Sequence, residues 1–299
     1  MYDKSDPRAA LAPKAPGAMS QTGLIAEQQE AYFYEEPPQI DDGDARTWLV
    51  RGNNFVLAWS EASEGATFAR AGQVDEYAVL LPKTGAVIEW NGTKVDVPGW
   101  SLAFVPPGDS TVTLPDGGPM TRLFTTRSED LAALCSNAHA YDTPRAHIPK
   151  FEAWPAPNGG WKVRHYSLDV APEPGRFGRI FRCTTMMVNV LDPYVGPRDA
   201  SKMSPHHHDD FEQCSLAIKG EFNHHLRWTW TTDMNDWRDD RTVSMAAPSA
   251  LVIPPPVIHT TRAVGASTNQ LVDIFCPPRV DFSEKPGWVL NADDYPMPA

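Results

Sequence analysis

The chain has 299 residues, 41% of them hydrophobic, with 29 Pro and 20 Gly spread along its length. That is room for two domains, and a composition of many short strands parted by turns rather than of long helices. The net charge is −12 and no Lys/Arg cluster occurs, so nucleic acid and anionic membranes are poor partners.

Residues 1–40 are rich in Ala, Pro, Gln and Glu. They read as an N-terminal arm, lying on the body or on a partner subunit, or as a plain tail. Within it "TGLIAEQQEAYFY" suggests a turn or two of amphipathic helix. No basic segment followed by an apolar run opens the chain, and no apolar run approaches a membrane span. A soluble, cytoplasmic protein is expected. The cysteines Cys135, Cys183, Cys214 and Cys276 are scattered without a CxxC, which suits free thiols in a reducing compartment.

Residues 41–128 read as a first β domain. Its β-rich runs are bounded by turn residues, and Asn91-Gly92 marks a tight hairpin between "VIEW" and "TKVDV". Residues 129–178 read as a linker. Ser128 is placed to cap a short helix with Glu129 and Asp130 in its first turn. His139, His147 and His165 fall on connecting segments, where surface histidines are common, and none is taken as a ligand.

Residues 179–299 read as a second β domain. "RIFRCTTMMVNV" is expected to be one entering strand, with Arg182, Thr184, Met186 and Val188 on one face and Phe181, Cys183, Thr185 and Met187 on the other. The centre of the chain's chemistry follows, in "SPHHHDDFEQCSLAIKG". His206 and His208 are two apart, so an extended backbone turns both imidazoles to one side. Gln213 can bring an oxygen to the same face, and Cys214 then points into packing. Glu212 is the alternative oxygen donor, one residue out of register with Gln213. Later, in "PSALVIPPPVIHTTRAVG", the stiff Pro254-x-Pro256 precedes His259. Imidazoles with one oxygen donor suit a divalent first-row metal.

These two segments resemble the two signature motifs of the cupin superfamily. The first motif reads His-x-His, a glutamate after three or four residues, and a glycine six residues later. Here it is His206, His208, Gln213 and Gly220, with Gln in place of Glu. The second reads Gly, five residues, Pro-x-Gly, two residues, His. Here it is Pro248, Pro254, Pro256 and His259, with Pro256 in place of a turn glycine. The resemblance implies an all-β fold of two tandem jelly-roll (double-stranded β-helix) barrels, with extended terminal arms and a short linker helix. It also implies metal ligands His206, His208, His259 and Gln213, with Glu212 as the alternative to Gln213. The N-terminal half echoes the second one: "WSLAFVPPGDSTVTL" parallels "PSALVIPPPVIHTTRA", which sets Thr111 where His259 stands. No histidine precedes His139, so the first barrel is expected to lack a metal.

All-neutral ligands leave the ion's charge uncompensated, a strong Lewis acid that draws anionic or enolate-forming substrates. One divalent ion per chain is expected, Fe(II) by preference, with Mn, Ni, Zn or Cu compatible. Two-barrel cupins resembling this chain include carbon–carbon-cleaving dioxygenases. That implies a dioxygenase acting on a small oxygen-rich or aromatic acid. The alternatives are a non-redox lyase, isomerase or hydrolase on a sugar-acid-like substrate, and a protein that only binds. His224 and His225 are candidates for acid–base work. Arg182, Arg227 and Trp228 are candidates for holding the substrate. Trp230 and Trp237 lie on the same stretch, and Trp237 with Arg238 forms a candidate lid. A homodimer is expected, with a small, possibly anionic, substrate as the only other partner.

Overall fold

A computed structural model of the chain describes residues 25–145, 148–209, 211–231 and 233–298. Most of the expected arm and His147 lie outside them. In chain order the strands are β1 (Gln29–Tyr32), β2 (Ile40–Asp41), β3 (Ala45–Arg51), β4 (Phe55–Ala62), β5 (Ala66–Gln73), β6 (Tyr77–Leu81), β7 (Ala86–Trp90), β8 (Thr93–Val97), β9 (Ser101–Val105), β10 (Gly108–Leu114) and β11 (Gly118–Thr125). After a one-turn helix α1 (Glu129–Ala132) come β12 (Arg164–Ser167), β13 (Arg179–Arg182), β14 (Met187–Val190), β15 (Tyr194–Val195), β16 (Gln213–Lys219), β17 (Glu221–Arg227), β18 (Arg241–Ala246), β19 (Ser249–Ile253), β20 (Ile258–Ala263) and β21 (Thr268–Phe275). A second one-turn helix, α2 (Val280–Ser283), leads into the tail.

These form two barrels, each a large sheet facing a small one. In the first, the order β12-β9-β6-β11-β4-β3-β2 faces β5-β10-β7-β8. In the second, β1-β19-β16-β21-β14-β13 faces β18-β17-β20, with β15 at the end of β21. The two large sheets pack against each other. One apolar core joins Trp48, Val50, Leu57 and Leu80 of the first to Phe181, Cys214, Val252 and Ile274 of the second. These sheets are therefore buried on both faces, which is why "YAVLL" and "SALVI" show no polar alternation. The jelly-roll reading of the sequence agrees with this architecture.

Local chemistry sets the turns. Asn91 and Gly92 both take positive φ, 49° and 72°, and close the β7–β8 hairpin as read. Gly220, at φ 92°, ends β16 where a Cβ would lie 2.3 Å from Oδ1 of Asn269. Asn269 needs that closeness, because its Oδ1 accepts from the Glu221 amide while its Nδ2 donates to Gly265 O.

Three expectations change. The stretch around residues 29–32 is a strand, not a helical turn: its amides pair with the open edge of β19. Nearby Ile25 packs among Leu226, Trp228 and Val257. "RIFRCTTMMVNV" is a hairpin, with β13 and β14 antiparallel and Cys183 N–H donating to Met186 O. Folding back puts Phe181, Cys183, Met186 and Val188 together in the inter-barrel core. Ser128 precedes α1 but does not cap it, because its hydroxyl is bonded to the Gln73 amide at 2.9 Å. Within the stretch read as linker, β12 adds to β9 of the first barrel. The C-terminal tail packs as its apolar residues demand, with Trp288 and Val289 against Phe282 and Tyr295 between the barrels. No helix among the described residues is long and apolar enough to cross a membrane. All the cysteines are unpaired and buried.

A pair of buried carboxyls crosses between the barrels reciprocally. Glu76, just before β6, accepts from Thr184 N and Oγ1 at 2.9 Å each and from the Tyr295 hydroxyl at 2.7 Å. Glu212, just before β16, accepts from Asn53 N at 2.6 Å and the Tyr141 hydroxyl at 2.7 Å. Burial pushes Glu212 up to about 7, against its donors and Arg51. The folded state thus binds this proton more tightly than the unfolded chain does. Its contribution to stability is complete below pH ~4.5 and is lost as pH rises through about 7. In Glu212→Gln the amide oxygen can still accept from Asn53, and the amide nitrogen can donate to the Tyr141 oxygen. Urea midpoints of the two proteins should therefore separate in the variant's favour between pH 5 and 8, by up to about 3 kcal/mol. A separation that does not grow with pH would refute a destabilised carboxylate.

Candidate metal centre

The two histidine segments meet through the backbone. His206 and His259 form an antiparallel bridge and exchange both bonds, His206 N to His259 O at 3.0 Å and His259 N to His206 O at 2.7 Å. Such a pair sends its side chains to the same face. His208 extends two residues further along the same segment. The result is a buried cluster of His206, His208 and His259 whose ligand nitrogens all lie within 4.8 Å of one another. Ring centroids are 4.4, 5.1 and 5.2 Å apart.

Gln213 opens β16 with its side chain inside the barrel. Its Oε1 lies 3.0 Å from His208 Nε2 and 3.3 Å from His259 Nε2. Its Nε2 donates to Ser215 Oγ at 3.0 Å and to Asp273 Oδ1 at 3.1 Å. Ser215 Oγ also donates to Asp273 Oδ1. Asp273 thus decides which end of the amide faces the histidines, and it presents oxygen. Glu212 faces the other way, to Asn53 and Tyr141. Of the two candidate donors, the fold brings Gln213 to the histidines and holds Glu212 between the barrels.

The ring tautomers suit a metal. Nδ1 of His206 is 2.9 Å from Ser204 O, and Nδ1 of His259 is 2.9 Å from Val257 O. A carbonyl can only accept, so each contact places a ring proton on Nδ1 and makes Nε2 the acceptor nitrogen of the neutral ring. His208 is held well below the ordinary imidazole range, first by burial, then by Arg279 and the two other rings. Arg279 itself lies over the Phe282 ring at 3.6 Å. Three neutral imidazoles and an oriented amide oxygen fit one divalent ion.

A cavity of about 400 Å³ opens on this cluster, with His206, His259, Gln213 and Asp273 in its wall. The rest of the lining mixes apolar Phe177, Phe222, Ala263 and Leu271 with polar Arg198, Thr261 and Asn269.

The remaining candidates stand elsewhere. His224 points into the barrel but is bonded through Nδ1 to Thr261 Oγ1 at 2.8 Å and does not line the cavity. Burial pushes it down to about 3, so it is neutral. His225 alternates to the outer face and meets Thr242. Arg182 lies between the barrels, donating to Tyr295 O and resting over Trp154. Arg227 is on the surface, paired with Asp240. Trp228 is packing against the chain's N-terminal segment, its Nε1–H donating to Ala26 O. Trp230 and Trp237 stack on each other at 4.8 Å and do not line the cavity, nor does Arg238, which pairs with Glu27. None of these arginines or tryptophans reaches the cavity, because strand alternation or loop position turns each away. Sequence reading missed Asp273 and Arg198. Asp273 carried a signal: it is a lone carboxylate inside the apolar run Leu271–Phe275.

The first barrel repeats the layout without the ligands. β6 and β11 pair Val79 with Arg122 as β16 and β21 pair Ser215 with Asp273. By that register Tyr77 stands where Gln213 does. The Tyr77 hydroxyl is 3.0 Å from Ser110 Oγ, so Ser110 is the counterpart of His259. Thr111, expected there, turns outward, because an irregularity between Gly108 and Ser110 shifts the register.

Two outcomes are expected here. Replacing His206 or His259 with Ala should remove stoichiometric metal, read by elemental analysis, while far-UV circular dichroism is kept. Asp273→Ala, which frees the Gln213 amide, should weaken metal binding roughly 10–100-fold in a chelator competition.

No family model and no curated protein matches the sequence. Solved structures do match in fold. AerE from Microcystis aeruginosa superposes with a TM-score of 0.54 at 5% identity, over 85% of this chain and 98% of that one. A Bacillus subtilis oxalate decarboxylase superposes with 0.56 at 15% identity, over 85% and 78%. The Lactobacillus farciminis oxalate decarboxylase formate complex gives 0.56 at 12% identity, over 85% and 87%.

Proposed function

We propose that this chain, whose fold is that of a two-barrel cupin, is a metal-dependent enzyme acting on a small oxygen-rich organic acid, with dioxygenase cleavage as its reaction. The observation that carries the reading is the convergence of His206, His208, His259 and the Gln213 oxygen in one buried cluster, of which His206, His259 and Gln213 line a substrate-sized cavity. His206, His208, His259 and Gln213 would hold the ion, Fe(II) by preference. Once bound, such an ion supplies Lewis acidity and, if redox-active, a place for O₂.

The chain's own groups do the rest. Carbonyl acceptors at Ser204 and Val257 fix two rings. Asp273 holds the Gln213 amide and adds one negative charge behind it. Phe222, Ala263 and Leu271 form a dry wall against which a carbon skeleton can lie. Of the other charged groups in the wall, Asp192 is paired with Arg179 and Arg176 with Glu173.

A second reading is redox-neutral cleavage of a small dicarboxylic acid. It is suggested by the structural likeness to oxalate decarboxylases. Metal analysis of protein purified without added metal, with O₂ consumption against catechols, diketones and keto acids, separates the two. Roughly one iron per chain and O₂ uptake that vanishes in His206→Ala are expected. Zinc or manganese, with anaerobic release of CO₂ from oxalate or a homologue, would instead establish the second reading.

A further inference from the structure

Among the described residues the first barrel has no histidine in its interior, yet that interior is not wholly apolar. Arg122 on β11 shares the inward face with Met120 and Phe124, both in that barrel's core. It is 7% exposed. Its guanidinium lies over the Phe68 ring at 4.4 Å and near the Phe124 ring at 5.8 Å. Its Nε is buried with no partner, and among the described residues no carboxylate pairs with it. Burial pushes it down to about 10, which still leaves it charged at neutral pH. The neighbouring cation is different. Arg70 meets both oxygens of Asp130, at 2.5 and 3.1 Å, and donates through Nε to Gln73. Among the described residues, Arg122 is therefore the cation of this interior that has no carboxylate partner.

A second set of donors lies beside it. Tyr77 stacks on Phe124 at 4.8 Å, and its hydroxyl is bonded to Ser110 Oγ at 3.0 Å. Two hydroxyls sharing one bond use one proton, so the second hydroxyl proton lies outside that bond and can be offered to an anion. Burial also raises the Tyr77 phenol, which keeps it protonated. The interior is thus rich in donors and short of acceptors.

We propose that Arg122, with the Tyr77–Ser110 hydroxyl pair, forms a binding site in the N-terminal barrel for a small carboxylate monoanion. One uncompensated guanidinium calls for one negative charge, and its planar fork matches a carboxylate. Two aromatic faces offset only part of the desolvation of a guanidinium, so the pairing is not already satisfied by Phe68 and Phe124. The position is the counterpart of the metal centre. Where the second barrel needs a bound cation, the first carries its own, and it lacks the anion.

The test is an acetate titration of chelator-treated full-length protein, with sodium chloride balancing ionic strength. The thermal unfolding midpoint of the wild type should climb with acetate. The climb should vanish in Arg122→Met and weaken in Ser110→Ala. Should Arg122→Met not fold, Arg122→Lys, which keeps the charge and loses the fork, should need at least about tenfold more acetate for the same shift. A wild type indifferent to acetate, or an Arg122→Met or Arg122→Lys protein that responds as the wild type does, would overturn the site and leave Arg122 as a structural cation.

Discussion

The two large sheets are each buried on both faces, and that double burial governs everything else in the molecule. A strand in such a sheet cannot slip by one residue without exchanging its inner set of side chains for its outer one. In β16 the outer set, Cys214 and Leu216, belongs to the inter-barrel core. The inner set begins with Gln213 and Ser215, beside the histidines. Packing between the barrels therefore fixes which residues face the site. Glu76 and Glu212 reinforce that lock from opposite directions, each starting on one barrel and ending on groups beyond it.

The site itself is a set of nested constraints. The His206–His259 bridge supplies position, backbone carbonyls supply ring orientation, and Asp273 supplies the orientation of the amide. Each layer is polar and buried, and each finds a partner, as burial of polar groups requires. At their centre the Gln213 oxygen lies 3.0 Å from His208 Nε2 and 3.3 Å from His259 Nε2, within a cluster whose histidine ligand atoms are all inside 4.8 Å of one another.

Much of this was legible in the chain. The resemblance of His206, His208, Gln213, Gly220 and His259 to two cupin motifs pointed to the segments whose histidines the fold brings together. Turn chemistry marked the β7–β8 hairpin. The substrate-facing residues were not legible. Arg182 and Arg227 are ordinary strand arginines by pattern. Only the fold shows that one is spent on the Tyr295 carbonyl and the other on Asp240. Aromatic content misled for the same reason, since Trp228, Trp230 and Trp237 differ in placement but not in pattern. Ser110 was hidden by a local irregularity of one strand, which no periodicity reveals.

The path of the chain has a consequence for how it is made. β1, near the start, is an edge strand of the second barrel, where Gln29 pairs with Val252. β12, beyond the first barrel's own strands, completes that barrel beside β9. During synthesis the first barrel must wait for residues that follow it, and its leading segment must wait for almost the whole chain. The second barrel thus holds a strand that precedes the whole of the first, whereas β12 simply follows the first barrel's other strands. Dividing the gene between β12 and β13 would take β1 from the second barrel and leave the β19 edge unpaired.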